Sequence, residues 1–283
     1  MQVPKVSIII PSYNHEKYIE ECLMSVIDCD YPNVQVVVID DGSTDESQAI
    51  LKRLKYSYSF ELILQENLGL TRTLNKAITQ LVKGEYIKII SSDDKLTRDG
   101  ISESVKLMQN HKNYDVLIGG VQIINGDGIP RGKILGEDNF QTDYLSFLKG
   151  KYRFNQMGWF FRMDFFGKHG LFEEDVISED VHMNRKIFKY GKVLLTKKHV
   201  AYYRKHGSNT SANSLRMEQG ALENLQCYSD DEYYEVKKRR EYLNLFVLFA
   251  AEDKRKSLFY GIRAIRFVGD ILFWKGIYRL LFL

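Results

Sequence analysis

Cysteine, proline and long apolar runs are scarce in this chain of 283 residues, and the shortages exclude several classes of protein. The three cysteines, Cys22, Cys29 and Cys227, show no Cys-x-x-Cys spacing, which argues against a zinc ribbon or a disulfide-stapled fold. Cys22 and Cys29 lie seven apart, a separation that suits two core-facing residues of one helix. All three are expected to be reduced, buried small hydrophobes. Proline is down to four residues while Phe and Tyr number 16 and 18, a texture that fixes no function. The longest unbroken apolar run, Leu245–Ala251, falls far short of the ~20 residues that span a bilayer. No basic region followed by an apolar stretch opens the chain, so no secretory signal is expected and the cytoplasm is the expected location. Asn209-Thr210-Ser211 matches a glycosylation sequon, which a chain without that signal would not have filled. A net charge of +3 is too small to imply a nucleic-acid partner. There is no Gly-x-Gly-x-x-Gly after a strand signal and no Gly-x-Ser-x-Gly. Gly126 to Gly132-Lys133 has the wrong spacing for a phosphate loop.

What is present is an alternation of strand and helix signals. Val6–Ile10 is a β-branched run broken only by Ser7, the mark of a strand buried on both faces. Residues Tyr18–Ile27 then carry apolar side chains at helical spacing: Ile19, Cys22, Leu23 and Val26. Val34–Ile39 reads as a second strand, and Ser43 or Thr44 can cap the helix after it. Phe60–Leu64 is a third, followed by a helix through Leu74, Ala77, Ile78 and Leu81 that Gly84 is expected to end. Tyr86–Ile90 is a fourth strand, with a helix near Gly100–Gln109 and a strand near Val116–Ile124 completing the series. Alternation of this kind implies a doubly wound, mostly parallel α/β sheet. Beyond Asn125 the pattern loosens: a Gly-rich loop or hairpin over Gly126–Gly136, a short helix at Tyr144–Leu148, a strand at Met157–Met163. A helix at Val181–Phe188 and a strand or pair over Lys192–Tyr203 follow, and everything past about Ser214 reads as helical.

Polar residues collect at one kind of place. Pro11-Ser12-Tyr13-Asn14, Asp40-Asp41, Glu66-Asn67 and Asp93-Asp94 each fall just past the carboxyl end of a different strand, the edge where open α/β sheets bind ligands. Two adjacent carboxylates such as Asp93 and Asp94 repel unless a cation or a hydrogen-bond donor sits nearby. A divalent cation shared with phosphate oxygens is one such partner, and a helix cap is the other reading. Glu179-Asp180 opens a helix, where it either stabilises the helix dipole or supplies a general base. His206 lies in the basic stretch Tyr203–Asn209, which reads as a loop able to close over a diphosphate.

The ordered set Val6-Ser7-Ile8-Ile9-Ile10-Pro11-Ser12-Tyr13-Asn14, Val38-Ile39-Asp40-Asp41-Gly42-Ser43-Thr44-Asp45, Asn67-Leu68-Gly69 through Arg72 and Asn75, Gly84-Glu85-Tyr86-Ile87, Ser92-Asp93-Asp94 and Glu179-Asp180 resembles the family 2 glycosyltransferases, which have the GT-A fold. The resemblance covers about residues 3–210. It implies donor-binding roles for Pro11, Tyr13, Asn14, Asp41, Arg72 and Asp93: Tyr13 stacking on the nucleobase, Asp41 accepting from it, Arg72 near base or diphosphate, Asp93 on the ribose. It implies Asp94 and His206 at a divalent metal, Mn²⁺ or Mg²⁺, with Asp180 as the base that deprotonates the acceptor. Glu179 would support Asp180 or touch the acceptor, and Trp159 would stack on a sugar unless it is core. The donor implied is a nucleotide-sugar of the UDP type, and the reaction inverts the anomeric centre. Where many relatives carry a further Asp, this chain has Ser91. No Gln-x-x-Arg-Trp signature of processive synthases is found, which favours addition of one sugar at a time.

The expected division is a catalytic domain over 1–212, with a nucleotide-sugar half 1–125 and an acceptor half 126–212, and a helical extension over 213–283. Residues 233–283 hold eleven Lys or Arg against five acids, with Leu258, Ile262, Ile265, Val268 and Leu272 forming an apolar stripe. That pattern suits either a peripheral site on an anionic inner-membrane surface or packing against the catalytic domain. The leading expectation is transfer to a lipid-linked saccharide acceptor in O-antigen or capsule-type synthesis. Transfer to a polyprenyl phosphate or a protein, and a non-catalytic nucleotide-sugar-binding scaffold, are the alternatives. The donor sugar, the linkage and the oligomeric state are left open.

Overall fold

The computed structural model describes residues 3–207, 214–265 and 268–282. These fall into two compact units. One holds the chain up to Thr142 with Arg153–Asp175 and His182–His206; the other holds Asp143–Tyr152, Val176–Val181 and the chain from Gly207 onward. The chain crosses between the units at five places, once inside a helix and four times outside one.

The first unit is built on a nine-stranded sheet. Its strands are β1 (Val6–Ser12), β2 (Val34–Asp41), β3 (Glu61–Gln65), β4 (Tyr86–Ile89), β5 (Lys95–Leu96), β6 (Val116–Asn125), β7 (Pro130–Leu135), β8 (Trp159–Arg162) and β9 (Val193–Lys205). Their order is β3-β2-β1-β4-β8-β6-β9-β5, with β7 paired to β6. Strands β3, β2, β1 and β4 run parallel, as the alternation implied. β8 enters antiparallel between β4 and β6, and β9 returns parallel to β6. The stretch Lys192–Tyr203 is thus one long strand, bent where its register with Gly120 shifts.

Helices α1 (Ile19–Ile27), α2 (Ser47–Ser57), α3 (Leu70–Lys76), α4 (Gly100–Asn110) and α6 (Asp164–His169) belong to this unit. Ile19, Cys22, Leu23 and Val26 of α1, Leu51 and Leu54 of α2, and Ile101, Val105 and Met108 of α4 share one core with Val6, Ile8 and Ile10. Each such side chain contributes about 1.5–3 kcal/mol by leaving water. Ile9 is equally buried but outside that cluster, as strand alternation requires. The periodicity missed α6, a single turn and a half, and the two-residue β5.

Two local expectations are corrected. Neither Ser43 nor Thr44 caps α2; the N-cap position is Glu46, whose side chain makes no capping bond, and just before it Asp45 Oδ1 accepts from Ser47 N–H at 3.0 Å. Gly84 does not end a helix either. α3 runs into a π-helical turn at Ala77–Leu81, and Gly84 lies beyond it, where an added Cβ would sit 2.6 Å from Ser7 N. Its glycine is needed for that close passage beside β1. Cys22 is buried as expected, Cys29 half-buried and Cys227 exposed, which corrects the reading of all three as core.

In the second unit lie α5 (Tyr144–Leu148), α8 (Ser214–Cys227), α9 (Tyr234–Phe249), α10 (Lys254–Arg263) and α11 (Ile271–Phe282). The last long helix, α7 (Glu179–Tyr190), begins in this unit and continues into the first. Leu243, Phe246 and Phe249 of α9 pack with Tyr260 of α10 and Phe273 of α11. Asp253 caps α10 through the N–H groups of Arg255 and Lys256, both at 3.0 Å. The opposite faces of α10 and α11 stay in solvent: Leu258 and Ile262 on one, with Ile265 just past its end, and Ile271, Trp274, Tyr278 and Leu281 on the other. No helix among the described residues is long and apolar enough to cross a membrane.

Candidate active site

The polar clusters meet because parallel register aligns the strand ends. Ser12 lies opposite Asp40, Asp41 opposite Gln65, and Ile9 opposite Ile89, so the turns after β1, β2, β3 and β4 leave the same edge of the sheet.

Adjacent carboxylates at the end of β2 divide their work. Asp40 is fully buried and accepts from Ser12 Oγ, from Ser43 N–H and Oγ, and from Gln48 Nε2, which locks the turn into α2. Asp41 points to the β3–α3 connection. Its Oδ1 accepts from Gln65 Nε2 at 2.7 Å and Leu68 N–H at 2.9 Å, and its Oδ2 from Gly69 N–H at 2.9 Å. Gly42 between them and the 67–69 segment has φ +76°, and a Cβ there would meet Asn67 N at 2.7 Å. Asn14, itself at φ 53°, accepts from Thr44 N–H at 2.8 Å, so its side chain braces the neighbouring turn. Tyr13 is 47% exposed beside it, its ring open to a partner.

The pair after β4 is not a helix cap, because β5 intervenes and α4 starts only at Gly100. Asp93 Oδ2 lies 3.0 Å from His206 Nε2 and 3.9 Å from His15 Nε2. Ligand atoms of His15, Asp93 and His206 all fall within 4.8 Å of one another. His15 Nδ1 is 2.7 Å from Ser92 Oγ, which fixes the ring. Burial lowers the pKa of His15, with the Asp93 charge acting against that. Asp94 Oδ1 accepts from Arg204 N–H at 2.6 Å, while its Oδ2 is buried with no hydrogen-bond partner. Burial, reinforced by the Asp93 charge, pushes the Asp94 pKa well up. A buried carboxylate with an idle oxygen beside a His-Asp-His group fits a divalent cation, which would satisfy that oxygen and remove the cost of its charge.

Arg204 corrects the reading of a basic loop. β9 runs through Lys205, and Arg204 turns inward, only 1% exposed, donating from Nε to Asp93 O at 2.8 Å and from Nη1 to Gly126 O at 3.0 Å, and pairing with Glu21. It is therefore part of the frame and does not face a diphosphate. Ser208 and Asn209 of that stretch, and the Asn209 sequon, lie outside the described residues.

The other expected residues have partners of their own or belong to the second unit. Arg72 is engaged by Glu174 and Asp175, at 3.2 and 2.8 Å. Trp159 is 4% exposed, its ring 5.8 Å from that of Phe161 and 6.3 Å from Phe172, which is the placement of its core reading. Glu179 and Asp180 form the first turn of α7 in the second unit. Burial and then the Asp180 charge raise the Glu179 pKa to about 7, and burial also raises that of Asp180. Sequence reasoning missed His15. Its one signal was its place directly after Asn14, at an edge already marked as a binding edge.

Residues 7–174 match the family described as Glycosyl transferase family 2. The chain belongs to that family. Among curated relatives it is 30% identical over 218 residues to glycosyltransferase GlyA of Streptococcus pneumoniae, covering 72% of this chain and 31% of that one. It is 32% identical over 134 residues to the putative teichuronic acid biosynthesis glycosyltransferase TuaG of Bacillus subtilis, covering 47% of this chain and 52% of the relative. The chain thus spans between about a third and a half of these relatives' lengths. Among solved structures, TarS 1–349 of S. aureus in complex with UDP-GlcNAc matches 98% of this chain and 89% of its own, at 20% identity and TM-score 0.60. The mannosyltransferase PcManGT of Pyrobaculum calidifontis, in complex with GDP-Man and Mn²⁺, covers 100% and 82% at 17% identity and TM-score 0.64. At those identities the likeness establishes the fold, a GT-A-like mixed α/β sheet with a mostly parallel core and C-terminal helices.

Proposed function

We propose that this family 2 protein is an inverting glycosyltransferase that moves a sugar from a UDP-sugar to an acceptor hydroxyl with the help of Mn²⁺ or Mg²⁺. The observation that carries the reading is the His15–Asp93–His206 group beside the idle Asp94 oxygen, at the sheet edge where the exposed Tyr13 also lies. Tyr13 and Pro11 hold the nucleobase, and Asp41 anchors the 67–69 segment at its flank while offering its carboxylate to the base N–H. Asp94 and His206 would hold the cation, and Asp93, implied at the ribose by the resemblance, would join them because its carboxylate lies against His206. When bound there, the cation supplies neutralisation of the charge that develops on the departing nucleoside diphosphate. Asp180 takes the proton of the acceptor hydroxyl as its oxygen forms the new bond to the anomeric carbon. The bond to the diphosphate breaks in the same displacement, so the configuration inverts. The acceptor we favour is a lipid-linked saccharide or polyol-phosphate chain of a bacterial surface polymer, in keeping with TuaG, named for teichuronic acid biosynthesis, and with TarS, named as a poly(ribitol-phosphate) β-N-acetylglucosaminyltransferase.

Calorimetric titration of UDP, GDP and dTDP, each with Mn²⁺ and with EDTA, tests this. UDP is expected to bind at least roughly tenfold more tightly than the others, and EDTA to weaken it by a similar factor. Binding of GDP or dTDP instead would move the donor class. No binding to a folded protein would bring the scaffold reading forward.

A second element of the proposal concerns location. The exposed apolar faces of α10 and α11 are interspersed with the exposed Lys254, Arg255, Arg263 and Lys275, a combination that suits an anionic lipid surface. Flotation with phosphatidylglycerol vesicles is expected to carry the protein, less so at high salt, and phosphatidylcholine vesicles are not. The double substitution Ile271→Glu with Trp274→Glu should abolish flotation. Self-association through these helices would instead appear as concentration-dependent mass without flotation.

A further inference from the structure

The group after β4 contains more nitrogen than a magnesium site needs. Mg²⁺ keeps its waters and is held by one or two carboxylates with substrate phosphates, whereas imidazole suits first-row transition metals. We infer that His15 joins Asp93 and His206 as a third protein ligand beside Asp94, and that its imidazole strengthens the hold on a first-row transition-metal dication more than the hold on Mg²⁺. The inference deepens the metal-assisted reading of the proposed function and rests on it.

Geometry supports the ligand set. Two atoms bound to one ion at about 2.1 Å lie about 3.0 Å apart when adjacent and at most about 4.2 Å apart when opposite. The Asp93 Oδ2 to His206 Nε2 distance is 3.0 Å and that to His15 Nε2 is 3.9 Å. All three ligand atoms lie within 4.8 Å, so the group closes on a shared ion by a shift of about half an ångström. The second ring nitrogen of His15 is already engaged by Ser92 Oγ at 2.7 Å. Metal-bound histidines are commonly oriented through that other nitrogen. The rings of His15 and His206 stand edge to face at 6.0 Å with an interplanar angle of 86°, so their nitrogens converge without stacking. Both side chains come from segments that the sheet brings together from opposite ends of the unit, His15 from the turn after β1 and His206 from the end of β9.

The test is Mn²⁺ and Mg²⁺ binding to the whole chain in the presence of UDP, read by electron paramagnetic resonance of free Mn²⁺ and by calorimetry. The wild type is expected to bind Mn²⁺ at least tenfold more tightly than Mg²⁺. His15→Ala and His15→Gln, checked for folding by circular dichroism, should each lose roughly ten- to hundredfold in Mn²⁺ affinity and much less in Mg²⁺ affinity. Ser92→Ala, which leaves all three ligands in place, should show a smaller loss in the same direction. Mn²⁺ affinity unchanged in both His15 variants, or falling no more than their Mg²⁺ affinity, would overturn the inference. UDP titration into the wild type with saturating Mn²⁺ separates the two levels. UDP binding that persists while the His15 variants keep their Mn²⁺ affinity defeats only the ligand assignment, whereas absence of UDP binding in the wild type defeats the function itself.

Discussion

Asp180→Asn is expected to lower sugar transfer by about 10²–10⁴-fold while donor binding stays within about twofold, since general-base assistance is worth that much and the amide keeps the shape of the side chain. We propose Asp180 over its neighbour because of how the two carboxyls titrate. The Asp180 charge is one of the causes that raise Glu179 to about 7, so Asp180 loses its proton first. Near neutrality Glu179 is then about half protonated beside an Asp180 that ionises ahead of it, the separation of roles seen where adjacent acids sit in different environments. Lys237 favours the ionised form of Asp180, and the Val181 N–H donates to its Oδ1 at 2.9 Å. A base must be deprotonated to act, so kcat/KM should rise with pH through the Asp180 titration. Burial places that limb above the usual carboxylate range. Glu179→Gln should preserve the acid limb and most of the rate. If instead Glu179→Gln abolishes transfer and Asp180→Asn does not, the roles are reversed. If Asp180→Asn loses UDP binding while folded, it is not a base at all.

How far the sequence carried the fold depended on the length of each pattern. The β-branched runs of β1, β2, β4 and β6 and the four-residue apolar stripe of α1 are long enough to declare their period, and each lies where the spacing put it. Short elements carry no period: β5 is two residues and α6 six, and both went unread. The antiparallel entry of β8 was equally illegible, because a strand's direction is decided by its partners in space. At the site, the edge was legible because Asp40-Asp41 and Asp93-Asp94 each follow a buried strand. The division of labour within each pair was not. Asp40 and Asp41 look alike in sequence, yet one is sealed in a turn and the other holds the 67–69 segment. His15 was invisible for a related reason: its partners Ser92, Asp93 and His206 lie 77 or more positions away. Trp159 was read both ways, and burial against Phe161 and Phe172 favours the packing one.

Arg204 is the side chain whose removal should cost the first unit most. Its guanidinium is buried and ties together three pieces that sequence separates widely: Glu21 on α1, the Asp93 carbonyl after β4 and the Gly126 carbonyl after β6. It also lies 4.9 Å over the Tyr18 ring, which in turn faces His206 at 4.8 Å. Arg204 and His206 are two positions apart in extended chain, so both project to one side, and each reaches Asp93, one by its carbonyl and one by its carboxylate. Substituting Met leaves the half-exposed Glu21 to Lys95 and leaves two carbonyls short of a donor, a loss of about 3–5 kcal/mol that the carbonyls dominate. That corresponds to a fall of roughly 6–20 °C in Tm for a unit of this size. Arg204→Lys should recover little, because an ammonium is a point charge and cannot serve three acceptors in the plane of a fork. A double-mutant cycle with Glu21→Gln isolates the pair, and a coupling near zero would mean that the carbonyl contacts carry the effect. The backbone N–H that Arg204 donates to Asp94 survives either substitution. A loss of Mn²⁺ affinity in a still-folded Arg204→Lys protein would therefore report the slackening of Asp93 through its carbonyl. Unchanged Tm in Arg204→Met would show that the frame around this site is held by the strands alone.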